Sequence, residues 1–127
     1  MDKVVHFHLP VDDMVRAKEF YKDIFGWDIQ ETDYPKYQLA TTVEKDEDDI
    51  PKEAGAINGA LYVRDTPEEY PEITIEVGSI DDYLKKIKES GGSVITEKTA
   101  IHDIGFYAEF CDTEKNVVGL YQDIEKK

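Results

Sequence analysis

The apolar and polar positions of the first half predict a strand, a helix and three further strands. Residues 4–10 alternate, with His6 and His8 on the face opposite to the apolar side chains, as in a strand. An aspartate at position 12 or 13 is suited to cap the following helix, which Gly26 ends. The apolar positions of that helix are Met14, Ala17, Phe20, Tyr21 and Ile24. Strand-like segments follow at residues 27–31, 36–43 and 56–63.

A polar, proline-bearing segment at residues 65–71 separates this half from a second one with the same order. Residues 73–77 alternate as a strand. Ser79, with Asp82 three positions later, resembles the start of a helix, and the glycines at 91–92 end it. Three further strands are predicted at residues 93–97, 105–111 and 117–122.

The first strand and the helix have the same spacing along the sequence in both halves. Val11 and Gly26 are 15 positions apart (26 − 11), and Val77 and Gly92 are also 15 apart (92 − 77). A displacement of 66 (77 − 11) therefore superimposes the two helices. Such an internal repeat predicts a duplicated module, and each module reads strand, helix and three strands.

The repeat predicts an α+β fold of two tandem βαβββ modules in one domain that spans residues 1–127. The first module covers about residues 1–65 and the second about residues 71–124. The displacement also places His6 on Glu72. A ferredoxin-like fold has two strands between its helices, whereas four are predicted here, so that fold is excluded.

Composition places the chain among globular proteins. Hydrophobic residues make up 40% of it, and 8 Tyr, 5 Phe and 1 Trp suffice for a packed core. No apolar segment approaches the roughly 20 residues of a membrane span. The single cysteine and the absence of a signal-peptide pattern predict a cytoplasmic protein.

The charge balance limits the partners. The chain has 29 acidic and 15 basic residues, for a formal net charge of −14. A field of that sign repels phosphate backbones and anionic membranes, so neither a nucleic acid nor a membrane is expected as a partner.

Several motifs, in this order and spacing, are similar to those of one superfamily. The first half carries His6–Asp13, Arg16–Tyr21 and Phe25–Trp27. The second half carries the turn at 112–120, which resembles an Asp-Pro-x-Gly-Asn signature with departures at positions 113 and 115. In these features the chain resembles the vicinal oxygen chelate superfamily, which includes glyoxalase I, extradiol dioxygenases and bleomycin-resistance proteins.

The resemblance implies that each module curls its sheet into a half-barrel, and that the curved mixed sheet surrounds a cavity. Catalytic members hold a divalent metal (Fe, Ni, Zn or Mn) there through four side chains. The matching positions are His6, Gly59, Glu72 and Gly119. Only His6 and Glu72 have side chains that ligate metals, and His8, two residues beyond His6, is the candidate for a third ligand.

Further candidates surround those positions. Glu72 and Tyr121 are the candidate catalytic residues, because a carboxylate and a phenol can exchange protons with a substrate. Glu76 shares the strand face of Glu72, and His102 lies in a loop that is suited to cover a cavity. The candidate substrate-binding residues are His8, Glu76, His102, Gly59 and Gly119.

Three functions remain open at this point. One is a metal-dependent lyase, isomerase or dioxygenase, including a lactoylglutathione-lyase-like activity, with an oxygen-rich small substrate. A second is a metal-free protein that sequesters a small molecule in a cavity widened by the two glycines. A third is an accessory domain without a ligand. The resemblance also implies a homodimer.

Overall fold

The predicted α+β fold, with its two βαβββ sets of elements, is confirmed. The structure, a computed structural model, describes residues 1–124. The elements are β1 (Lys3–Val11), α1 (Met14–Phe25), β2 (Asp28–Glu31), β3 (Tyr37–Thr41), β4 (Asn58–Val63), β5 (Glu72–Glu76), α2 (Ile80–Glu89), β6 (Ser93–Ile101), β7 (Gly105–Cys111) and β8 (Val117–Asp123).

The chain divides into two compact units. The first unit is His6–Pro71, and the second unit combines residues 1–5 with the residues from Glu72 onward. The boundary between the units therefore falls inside β1. None of the helices within residues 1–124 is both long and apolar enough to cross a membrane.

The sheet of the first unit has the order β2-β3-β4-β1. β1 and β4 run parallel, and β3 is antiparallel to β2 and to β4. In the parallel pair, His6 lies opposite Asn58 and Phe7 lies opposite Gly59. Since register partners project to the same side of a sheet, this register decides which residues share a face.

The face that carries Phe7 packs towards α1. The ring of Phe7 lies 5.5 Å from that of Trp27, which stacks on Tyr21 of α1 at 4.8 Å. Leu61 and Ala40 are buried on this side. His6 and His8 therefore project from the opposite face.

Helix α1 begins and ends as predicted, but part of its apolar surface is uncovered. The Arg16 amide donates to Asp13 Oδ1 over 3.0 Å, and Gly26 ends the helix with φ 73°. Phe20 and Ile24, predicted to face the core, remain 55% and 62% exposed. The reason is that α1 contacts the sheet through a narrower stripe around Ala17 and Tyr21, which are half-buried.

The sheet of the second unit has the order β5-β8-β7-β6, with β5 parallel to β8 and the other neighbours antiparallel. Helix α2 covers one face. Its N-cap Ser79 accepts a hydrogen bond from the Asp82 amide over 3.3 Å. Strand β6 reaches Ile101, four residues beyond the predicted end. The core of this unit is Val77, Ile80, Leu84, Ala108 and Leu120.

Candidate functional site

A hydrogen-bonded row of three side chains lies on the uncovered face of the first unit. The Tyr37 hydroxyl is 3.2 Å from Nε2 of His8 and 3.4 Å from Nε2 of His6. The two imidazole rings meet edge to face, with 4.7 Å between centroids. A phenol has one proton to donate, so when both imidazoles are neutral Tyr37 donates to one Nε2 and accepts from the other.

Burial keeps His6 and Tyr37 uncharged. Burial first, and the coulombic effect of His8 as a smaller cause, together lower the pKa of His6 to about 4. Burial also raises the pKa of Tyr37 to about 12. At neutral pH, His6 is therefore a neutral imidazole and Tyr37 a neutral phenol, which suits them to bind polar, uncharged ligand groups.

Two neighbours extend the row. The ring of Tyr62 meets that of His8 edge to face at 6.1 Å. Asn58, the register partner of His6, accepts from the amides of Thr42 and Val43. The Asn58 Nδ2 group is buried and has no hydrogen-bond partner within residues 1–124. We define the histidine face by five residues: His6, His8, Tyr37, Asn58 and Tyr62.

Gly59 lies on the other side of this sheet. A Cβ at Gly59 would come within 2.5 Å of the Phe7 carbonyl oxygen and 2.6 Å of the Phe7 ring. Gly59 therefore belongs to the helix-covered side and does not share a face with His6. The carry-over from the resemblance chose a position one residue away from Asn58, the residue that pairs with His6.

In the second unit, the sheet face opposite to α2 carries carboxylates. Glu72, Thr74 and Glu76 alternate along β5, and Thr74 and Glu76 pair with Gly119 and Tyr121 of β8. Across β7 and β8, Glu109 pairs with Gly119 and accepts a hydrogen bond from the Thr96 hydroxyl over 2.8 Å. We define the carboxylate face by five residues: Glu72, Thr74, Glu76, Glu109 and Gly119.

Gly119 allows two oxygen atoms to approach the backbone. A Cβ at Gly119 would lie 2.8 Å from Thr74 Oγ1 and 3.1 Å from Glu72 Oε2. Thr74 is only 7% exposed, and its hydroxyl has no hydrogen-bond partner within the described part of the chain. Unpaired buried hydroxyls are unusual, because burial without a partner costs free energy.

Two other candidates, Tyr121 and His102, lie near or in the turn between β6 and β7. The Tyr121 hydroxyl lies 3.0 Å from the Ile104 carbonyl and 3.1 Å from Asp123 Oδ1. Burial, and then Asp123, raise the pKa of Tyr121 to about 12. His102 is exposed in the turn between β6 and β7 with φ 42°. The bond to Ile104 ties Tyr121 to the start of β7.

The residues at the four implied metal positions do not fit a catalytic metal. Gly59 has no side chain, and Phe7 fills the place where one would stand. Gly119 has none either. Among residues 1–124, no three His, Cys, Asp or Glu side chains are arranged to hold a metal ion. Protein zinc sites supply three or four ligands, so this donor set is insufficient.

Three residues of these faces were not predicted from the sequence: Tyr37, Asn58 and Thr74. Tyr37 is one of eight tyrosines, and no pattern showed that it would lie between two histidines 29 and 31 positions away. Asn58 and Thr74 were also missed, because only the strand register and the burial reveal them. A threonine among the isoleucines of β5 was the one available signal.

Comparison with known proteins supports the fold at low sequence identity. The family model described as bleomycin resistance protein-like, N-terminal, matches residues 3–42. No curated protein matches.

Three solved structures have the same fold. A glyoxalase/bleomycin resistance protein/dioxygenase superfamily member from Vibrio splendidus 12B01 is 16% identical with a TM-score of 0.62, covering 98% of this chain and 100% of its own. Methylmalonyl-CoA epimerase from Mycobacterium tuberculosis is 14% identical with a TM-score of 0.61, covering 96% and 88%. Homoprotocatechuate 2,3-dioxygenase from Arthrobacter globiformis is 17% identical with a TM-score of 0.62, covering 97% and 36%. The resemblance predicted from the motifs is confirmed as a likeness in fold.

Proposed function

We propose that this chain is a small-molecule-binding protein of the glyoxalase/bleomycin-resistance/dioxygenase superfamily that holds its ligand without a metal ion. The observation that carries this proposal is the row of His6, Tyr37 and His8. It offers hydrogen-bond donors and acceptors without a charge on His6 or Tyr37. The family match over residues 3–42 supports the superfamily, and the lack of side chains at Gly59 and Gly119 supports binding without a metal ion.

The histidine face favours a flat ligand that bears polar groups. The rings of Tyr37 and Tyr62 lie 5.8 Å and 6.1 Å from that of His8, which gives an aromatic surface beside the hydrogen-bonding atoms. The buried Nδ2 of Asn58 supplies a further donor. Since the chain has a formal net charge of −14, neutral and cationic ligands are favoured over polyanions.

A direct test is binding of benzyl alcohol, which has an aromatic ring and one hydroxyl. The ¹H–¹⁵N spectrum of tag-free protein in EDTA would be followed during the titration. We expect saturable shifts at the amides of the histidine face. Tyr37→Phe should weaken binding by about tenfold, the value of one hydrogen bond of about 1.4 kcal/mol.

Tyr70→Phe is the matched control, because Tyr70 is 71% exposed and outside the face. It should leave binding unchanged. Equal affinity in wild type and Tyr37→Phe, or shifts that appear only after a divalent metal is added, would contradict the proposal.

A metal-free lyase or isomerase is the second candidate. It is favoured by the Tyr37 hydroxyl, which can pass a proton between two imidazoles if a substrate engages one of them. The hemithioacetal of methylglyoxal and glutathione is a suitable substrate probe in EDTA. Turnover that disappears in Tyr37→Phe would support this candidate, whereas no turnover would leave binding as the function.

The homodimer implied by the resemblance stays a prediction. Size-exclusion chromatography with light scattering tests it.

A further inference from the structure

We infer that Thr74, Gly119 and Glu72 of the carboxylate face form a subsite for the ammonium group of a small molecule. This inference goes beyond the proposed function and does not depend on the histidine face.

The hydroxyl of Thr74 is buried. Thr74 lies in β5 between Ile73 and Ile75, where a valine would have a similar shape and no polar atom. Its Oγ1 nevertheless stays buried without a partner in the described residues. A hydroxyl in that state destabilises the folded chain until another group bonds to it. A bound ligand atom is one such group.

Two oxygen atoms lie close to Gly119. Thr74 Oγ1 and Glu72 Oε2 are 2.8 Å and 3.1 Å from the position that a Cβ at Gly119 would take. Both atoms are oxygens, and both can accept hydrogen bonds. A carbon at that point would crowd Thr74, whereas an N–H donor within hydrogen-bond distance of both oxygens would satisfy both acceptors.

Carboxylates give the subsite a negative charge. Glu72 brings a carboxylate to the subsite, and Glu76 and Glu109 lie on the same sheet face. An ammonium has three N–H donors, so it can bond to Thr74 and Glu72 together and leave the other contacts of Glu72 in place. Hydrogen bonds from a cation to a carboxylate are stronger than neutral ones. An anionic ligand group would be repelled.

The test compares three probes with one skeleton: benzylammonium, benzyl alcohol and benzoate. Each is titrated into tag-free, ¹⁵N-labelled protein in EDTA at fixed ionic strength, because salt screens diffuse attraction to a negative protein. We expect benzylammonium to cause saturable shifts at the amides of Thr74 and Gly119. Benzoate should cause none there.

Two variants locate the site. Thr74→Val should weaken benzylammonium by about tenfold, as expected for one lost hydrogen bond. Gly119→Ala should abolish its shifts. Gly78→Ala is the matched glycine control, because nothing lies within 4 Å of a Cβ at Gly78. It should bind like wild type.

Thr74→Val retains the shape of the strand and is expected to fold, so a loss of binding in this variant is not a loss of the fold. The inference is overturned if benzylammonium shifts spread over the exposed carboxylates without saturation, or if Thr74→Val binds benzylammonium like wild type. Those outcomes leave the proposed function standing when benzyl alcohol still binds the histidine face. If benzyl alcohol does not bind but benzylammonium still binds in a Thr74-dependent way, the ammonium subsite stands and the proposed function at the histidine face fails.

Discussion

The hydroxyl of Tyr37 lies 3.4 Å from Nε2 of His6, although 31 positions separate the two residues along the chain. The same hydroxyl lies 3.2 Å from His8. The contact follows from the strand order, since β1 and β3 lie on either side of β4 and present these side chains on one face. A neutral imidazole, a phenol and a second imidazole thereby act as one hydrogen-bonded unit.

Removal of the Tyr37 hydroxyl should destabilise the first unit. We expect Tyr37→Phe to lower the free energy of unfolding by about 1 kcal/mol, because two part-buried imidazole nitrogens lose a shared partner. Urea unfolding followed by circular dichroism measures this value. Tyr70→Phe serves as the control, and equal stability of Tyr37→Phe and wild type would show that the row contributes nothing to folding.

The buried His6 should make stability depend on pH. The folded pKa of about 4 is below the ordinary value of 6.5, so below pH 6.5 the unfolded chain binds a proton that the folded chain does not. The free energy of unfolding should therefore fall as the pH is lowered from 6.5 to about 4, and this contribution should level off below that range. The loss has an upper bound of about 3 kcal/mol at 1.36 kcal/mol per pKa unit.

His6→Gln removes this titration. Urea unfolding of wild type and His6→Gln at several pH values between 7 and 4 isolates the contribution of His6, because the acidic residues titrate in both proteins. A difference between the two proteins that does not change with pH would contradict the buried, neutral state of His6.

Thr74→Val should stabilise the protein in the absence of ligand. Replacing a buried, unpaired hydroxyl by a methyl group of similar size is expected to raise the free energy of unfolding by about 1 kcal/mol. Thr96→Val is the comparison, because the Thr96 hydroxyl donates to Glu109 and its loss should lower stability. If Thr74→Val is destabilised as much as Thr96→Val, the Thr74 hydroxyl has a partner in the folded chain.

Gly59, at one of the implied metal positions, should respond to substitution differently from an exposed glycine. Gly59→Ala should destabilise the protein by about 1–3 kcal/mol, because the new Cβ meets the backbone oxygen and ring of Phe7 in a packed interior. Gly78→Ala should change stability little. Thermal unfolding of both variants checks this, and a stable Gly59→Ala would show that Phe7 moves aside freely.

The sequence was sufficient for the elements and their order. These elements depend on local signals, and each signal appears in the structure. They are the alternation around His6 and His8, the helix caps at Asp13 and Ser79, and the left-handed backbone conformation of Gly26. The family resemblance also held, because the order of motifs reports the fold.

The site was less predictable, because it depends on strand register. The observed register of β1 and β4 differs by one residue from the one that the resemblance implies. Asn58 pairs with His6, and Gly59 lies on the side of Phe7. Tyr37 joins the histidines through two long-range strand pairings, which no local pattern encodes. The unpaired hydroxyl of Thr74 is visible only once burial is known.

Ligand binding without a metal ion is tested most directly by titration calorimetry of benzyl alcohol into tag-free protein in EDTA. We predict a saturable one-site isotherm in EDTA that is weakened about tenfold by Tyr37→Phe, as for one lost hydrogen bond. No heat in EDTA, with binding that appears only after Fe, Ni, Zn or Mn is added and is lost in both His6→Ala and Glu72→Ala, would contradict the account.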